Sequence, residues 1–445
     1  MVTRRKRRSA AVPEQPSGSL AIQIPPEKAE PASMGNVLMM VVPMLGSTGV
    51  MIFMAMQNGA NNNRSMLMGG GMLVAMLGMV GFNMYRQFSQ YRTRVVTQRR
   101  EYLSYLAETR DAVRKVAKKQ RAYYNWVYPD PNALVTLAAN GSRLWSREGG
   151  TYDLFAFRYG SGTQPLGLIF ERPPIDPMTE MDVVCLSAME RFINVHDHTD
   201  NVGKFLFLGD FSHIEVAGEG EAVYDEMRAI MMHLACFIDP SKLKIAVLCS
   251  ADRLGEWEWV KWMPQARSST VRDAVGPGRM ISTDPGELAE MIGTDIAMRG
   301  AFRFGEEIPV YPHLLLVCDG AEFPASSPFG SAAGVKGVTI MSRAREWTPM
   351  TSHTTLRLLI HPNPDRKGAD VVDVVTMDSM PEQAFADRLT AVQAEAVARR
   401  MTPFANQQNL EEADTPVGRS DESRQKDLME LVGIGDIRDF DPEKQ

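Results

Sequence analysis

Asp319 closes an apolar run, Leu314-Leu315-Leu316-Val317-Cys318. A carboxylate at the end of a buried strand is where a P-loop ATPase holds Mg²⁺. The same chemistry needs a glycine-rich loop whose N–H groups cradle phosphate at a helix N-terminus. Upstream, HIEVAGEGEAVYDEMRAIMMHLACF (213–237) places Gly218 and Gly220 between a strand-like and a helix-like run. The pattern G-x-x-x-x-G-K-[ST] is not completed there, because no Lys and no Ser/Thr stand at the required place. Glu219, Glu221 and Asp225 would repel a triphosphate. No intact pattern of this kind occurs anywhere from 1 to 445. Gly218, Gly220 and Asp319 therefore mark a degenerate nucleotide site, and no residue is assigned a catalytic role. The plainer reading of Asp319, a strand-end acid without a metal, stands beside it.

Other residue types offer less chemistry. Trp257, Trp259 and Trp262 make up half of the six tryptophans. Such clusters serve either as interface anchors or as local packing. His196 and His198 flank Asp197, but a metal would need more ligands than this stretch supplies. Four cysteines (Cys185, Cys236, Cys249, Cys318) are scattered with no C-x-x-C pair, which fits a reducing compartment rather than a disulfide scaffold or thiolate zinc site. A net charge of −6 and a pI near 5.8 give no sign of nucleic-acid binding.

The elements that must position these residues alternate. FLFLGD (205–210), IEVAG (214–218), KIAVLCS (244–250), HLLLVCD (313–319) and GVTIMSR (337–343) are apolar on both faces. Helical patterns fall at 222–237, 285–298 and 381–400. Doubly buried strands separated by helices predict a mainly parallel α/β sheet over 129–400.

The mean hydropathy of −0.20 hides a local exception. Thirteen of the 30 methionines lie between Met34 and Tyr85. Residues 34–56 and 65–85 carry no charge, and only a polar loop at 57–64 separates them. At about 1.5 Å per residue each run reaches across a hydrocarbon core of roughly 30 Å. The expectation is a transmembrane helical hairpin. Arg4 to Arg8 form a basic cluster, and 86–121 carries eleven Lys/Arg against three acids. The positive-inside rule then puts both termini in the cytoplasm. Residues 1–33 read as a disordered tail and 401–445 as a linker. From Arg86 to Trp126 there is no Gly or Pro, so 86–128 is expected to be one stalk helix. Its apolar stripe (Tyr91, Val95, Tyr102, Leu106, Val113, Val116, Ala117) is expected to pack on a partner or another copy.

The order of hairpin, basic stalk and nucleotidase-like domain resembles the N-terminal part of the EccC family. These are FtsK/SpoIIIE-type ATPase subunits of ESX (type VII) secretion systems. RREYLSYLAETRDAVRKVAKKQRAYYNWVYPDP (99–131), WEWVKWMPQA (257–266) and LMELVGIGDIRDFDP (428–442) carry the resemblance. It implies an inner-membrane location with two spans, and a domain of unknown function (DUF) with an ATPase-like fold. It implies partners: the lipid bilayer, EccB, EccD, EccE and other EccC copies. Downstream ATPase modules, absent from this chain, would use ATP and Mg²⁺ and recognise WXG-type substrates. Arg99, Tyr102, Leu106, Arg110, Trp257, Trp259 and Trp262 become the expected partner-contact residues. Two alternatives are nucleotide binding or hydrolysis by residues 130–400 themselves, and an FtsK-like DNA-translocase anchor.

Overall fold

The computed structural model describes residues 12–30, 63–147, 154–274, 276–305, 311–344, 349–366 and 368–413, with isolated positions between 39 and 54. In chain order the elements are β1 (Gly18–Ala21), α1 (Asn63–Val127), α2 (Pro131–Asn140), β2 (Ala156–Pro165), β3 (Leu168–Glu171) and α3 (Val183–His196). Then come β4 (His198–Phe207), β5 (His213–Gly218), α4 (Ala222–Phe237), β6 (Leu243–Cys249) and α5 (Leu254–Trp257). They continue with β7 (Arg267–Asp273), β8 (Gly276–Arg279), β9 (Ile281–Ser282), α6 (Pro285–Ile292), α7 (Thr294–Ala297) and β10 (His313–Asp319). The last are β11 (Val338–Ala344), β12 (Thr355–Pro362), β13 (Asp370–Val375), β14 (Glu382–Ala386) and α8 (Ala391–Ala413).

Two units divide the chain. One holds Asp130–Tyr159 and the chain from Phe205, and the other holds Ala11–Pro129 and Gly160–Lys204. The expected single body over 129–400 is thus corrected: 160–204 groups with the stalk, because α3 covers the stalk's apolar side.

The large sheet has the order β4-β2-β14-β13-β12-β5-β11-β10-β6-β9. From β12 to β9 every pairing is parallel, and β13 and β14 add antiparallel partners. All seven residues of β10 are buried. Its side chains alternate between two cores, as the period of two requires. Leu315 and Val317 join the cluster containing α4, while Leu314, Leu316 and Cys318 join one with Leu288, Ile292 and Phe329. Helix α4 is buried from Val223 to Phe237, which is why its sequence is apolar nearly all round.

Several boundaries differ from expectation. Residues 382–386 form β14 on the free edge of β13, so the helix expected over 381–400 begins only at Ala391. Thr390 starts it: Gln393 N–H donates to the Thr390 hydroxyl, and Thr390 N–H donates to the Gln393 amide oxygen. The helix expected over 285–298 is split at Gly293, whose φ of 98° cannot continue a helix. The strand expected to reach Asp210 ends at Phe207 in a 3₁₀ turn.

In the second unit, α1 is one helix of 65 residues, about 98 Å long at 1.5 Å per residue. The second apolar run and the stalk are therefore continuous. Tyr102, Leu106 and Val113 are buried with Cys185, Met189, Phe192 and Ile193 of α3 and with Ile22. The stripe expected to face a partner is instead filled from within the chain. The expected disorder of 1–33 is likewise corrected over part of its length. Residues 18–21 pair in parallel with β3, and Lys28 bonds Glu180 at 2.5 Å. The expected first span, 34–56, lies largely outside the described residues. The linker expected over 401–445 is corrected over 401–413, where α8 continues because Met401 packs into the core, and its remainder lies outside the described residues. Among the described residues no helix is long and apolar enough to cross a membrane.

Candidate functional site

Strand β5 delivers the chain into the loop 218–221, and α4 leaves it. Gly218 has φ 152°, and a Cβ there would meet the Ile360 carbonyl oxygen at 2.5 Å. Gly220 sits at φ 70°, in the left-handed region. These glycines bend the loop, as expected of them. Its acids are gathered by one buried cation. Arg228, fully buried on α4, donates to Glu221 at 2.6 Å, Asp225 at 3.3 Å and Glu256 at 2.8 Å. Three carboxylates thus stand around one guanidinium at the end of the site where phosphate would need net positive charge. Burial raises the Asp225 pKa, and Arg228 offsets part of that rise.

Asp319 ends β10 on the α4 side of the sheet and is fully buried. The Trp257 indole N–H donates to its Oδ2 at 3.0 Å. Oδ1 has no hydrogen-bond partner among the described residues. Trp257 is itself fully buried, edge-on to Tyr224 with centroids 6.1 Å apart. Arg343, near the end of β11, donates to the Tyr224 hydroxyl at 3.0 Å and lies 4.9 Å from the ring centroid. Burial, then the Asp319 charge, raises the Tyr224 pKa. Two features read separately in sequence, the strand-end acid and the tryptophan cluster, form one site.

The residues do not fit Mg·ATP. Mg²⁺ asks for open octahedral oxygen ligation, whereas an indole occupies one oxygen of Asp319. Among the described residues no group of three or more His, Cys, Asp or Glu is placed to hold a metal. What the arrangement can do is tie α5 to β10 through a buried hydrogen bond.

The expected contact residues separate into several classes. Trp257 and Trp259 lie in the core, with Trp259 donating to the Glu256 carbonyl at 2.9 Å. Trp262 is half-buried under the Arg399 guanidinium, 3.9 Å from its centroid. Their partner-contact expectation is corrected to packing within the domain. Tyr102 and Leu106 are also interior, and the Tyr102 hydroxyl donates to the Gln23 carbonyl. Arg99 makes a forked ion pair with Asp182, whose carboxylate also caps α3 by accepting from Val184 and Cys185. Arg110 is exposed. Val96 and Leu103, 64% and 42% exposed on the same helix, share with Arg110 a spacing of seven.

No family model matches the chain. The ESX secretion system protein EccC of Thermomonospora curvata is 31% identical over 412 residues, which are 91% of this chain and 30% of that protein. ESX-3 EccC3 of Mycobacterium tuberculosis is 29% identical over 348 residues, 75% of this chain and 25% of that protein. ESX-1 EccCa1 of the same species is 26% identical over 361 residues, 78% and 44% respectively. The chain thus spans less than half the length of each of these relatives. Among solved structures, the cytoplasmic domain of the Thermomonospora curvata type VII secretion ATPase EccC aligns with 42% of this chain and 25% of its own, at TM-score 0.28 and 13% identity. With 91% of its residues aligned to a curated EccC at 31% identity, the chain belongs to the EccC family of ESX secretion system proteins.

Proposed function

We propose that this chain is the membrane-anchoring, complex-assembling part of a type VII secretion motor. Its α/β unit is a P-loop-ATPase-like body with a closed nucleotide site. The observation that carries the reading is the Trp257 indole on Asp319, beside a loop with carboxylates where lysine is needed. Strand order supports the same ancestry. The parallel run β12-β5-β11-β10-β6 puts the loop strand β5 two places from the acid-bearing β10, with β11 between them. GVTIMSR, now β11, occupies the place of a sensor strand. The uncharged runs 34–56 and 65–85 would cross the inner membrane, with both termini in the cytoplasm. EccB, EccD, EccE and further EccC copies are the proposed partners, and downstream modules would use ATP and Mg²⁺ and take WXG-type substrates.

A titration of the 445-residue chain with Mg·ATP tests the closed site. The expected result is no binding that depends on Asp319. Saturable binding below about 1 mM that Asp319→Asn abolishes would overturn it, and would favour a nucleotide-using domain.

A further inference from the structure

Residues 31–100 contain no Asp or Glu, but they contain six arginines, and five of these follow Tyr85. On helix α1 the uncharged run 65–85 therefore passes directly into a purely cationic segment. Arg86, Arg92, Arg94 and Arg100 are exposed there. Arg99 pairs with Asp182, whereas Arg86, Arg92 and Arg94 form no ion pair among the described residues. Aromatic rings share the same stretch. Tyr85 is 71% exposed and Phe88 57%. The Arg92 guanidinium lies 5.5 Å from the Phe88 ring centroid, so cation and ring form one surface.

The arrangement around the helix decides what can cover it. At about 100° per residue, counted from Arg86, Arg94 stands near 80°, Phe88 near 200°, Arg92 near 240° and Tyr85 near 260°. Tyr91 and Val95, on the side between Arg94 and Phe88, are half-buried. A second helix covers one stripe along the axis. These groups instead spread over most of the circumference, within about 12 Å of axis from Arg86 to Arg94. A belt short along the axis and wide around it fits a planar surface that the helix crosses.

We propose that this belt binds the headgroups of anionic phospholipids in the leaflet from which the stalk emerges. The proposal rests on the reading of 34–56 and 65–85 as membrane spans. Guanidinium forks match phosphodiester oxygens. Tyr85 suits the headgroup level of a bilayer, where its ring and hydroxyl meet different surroundings. With no acid in the segment, nothing holds the cation of a zwitterionic headgroup, so the belt favours lipids of net negative charge.

The test uses the full chain reconstituted into vesicles of equal parts phosphatidylcholine and phosphatidylglycerol. The vesicles are washed with carbonate and extracted in mild detergent, and lipids retained on the protein are counted by native mass spectrometry. The expected result is a carbonate-resistant chain that retains phosphatidylglycerol over phosphatidylcholine by about fivefold or more. Arg86→Gln/Arg92→Gln/Arg94→Gln should stay in the vesicles yet retain the two lipids about equally. The single variants Arg92→Gln and Arg94→Gln should each lower the ratio part-way. Lys115→Gln/Lys118→Gln/Lys119→Gln removes the same charge beginning about 44 Å beyond Arg86 along α1, and should keep the preference. A chain that carbonate strips from the vesicles would overturn the membrane reading and this proposal with it. A carbonate-resistant chain without the preference would overturn the belt alone and leave the spans standing. So would a preference that survives the arginine changes, or one that the lysine changes abolish equally.

Discussion

The Asp319 carboxylate accepts from the Trp257 indole N–H at 3.0 Å, and both side chains are fully buried. Removing the indole N–H while keeping an aromatic ring isolates that bond. Trp257→Phe is expected to destabilise the protein by about 1–3 kcal/mol, since a buried carboxylate is left without a donor. Adding Asp319→Leu to Trp257→Phe should recover part of the loss in urea unfolding, because both polar partners are then gone. A double variant less stable than the sum of the singles would contradict the pairing. A second residue reports through pH. His313 is buried, bonded to Thr339 at 2.9 Å, and burial pushes its pKa down to about 3 from an ordinary 6.5. The unfolded chain binds this proton below pH 6.5 while the folded chain does not. The His313 contribution is therefore complete above pH 6.5 and is lost as pH falls from 6.5 toward 3. Relative to His313→Gln, the native chain should lose stability by up to about 1.4 kcal/mol per pH unit in that window. A pH-independent difference between the two would show that His313 charges freely in the fold.

Helix α1 separates two kinds of leucine three residues apart. Leu106 is 3% exposed among α3 residues, and Leu103 is 42% exposed. Leu106→Ala should cost about 2–5 kcal/mol, whereas Leu103→Ala should stay within about 0.5 kcal/mol. Chemical denaturation of the two variants checks this, and equal losses would contradict the burial of the 102/106/113 stripe. The same helix shows what the sequence could reveal. Its helical nature was legible from an unbroken run without Gly or Pro, and its apolar stripe from the period. Which surface covers the stripe was not legible, because α3 lies some 80 residues downstream and its amphipathic pattern names no partner. Strand β14 was misread for a related reason. PEQAFA has no strong strand signature, and only the edge of β13 makes it a strand. By contrast β5, α4 and β10 were read within a residue or so, since continuous apolar runs fix buried elements regardless of context. Of the candidate site, Gly218, Gly220 and Asp319 were legible from motif spacing. The junction of Trp257 with Asp319 was not, because it joins residues 62 apart in the chain.

At the scale of the whole molecule, the proposed role is anchoring and assembly within a type VII secretion complex. The 412-residue match to EccC covers 91% of this chain but only 30% of that relative. Placed in a secretion complex, α1 would present Val96, Leu103 and Arg110 as the face left free by α3. That differs from the face expected from the stripe alone and moves the proposed contact by part of a turn. Were the uncharged runs 34–56 and 65–85 to cross the bilayer as proposed, that face would lie near its surface, within reach of other membrane subunits. The most direct measurement is co-purification of the full chain with the EccB, EccD and EccE subunits from membranes, comparing native protein with Val96→Asp/Leu103→Asp. The account predicts that the native chain is recovered from the membrane fraction with these subunits, and that the double variant remains folded and membrane-bound but loses them. Recovery of the native chain outside the membrane fraction, or unchanged recovery of the subunits with the variant, would contradict it.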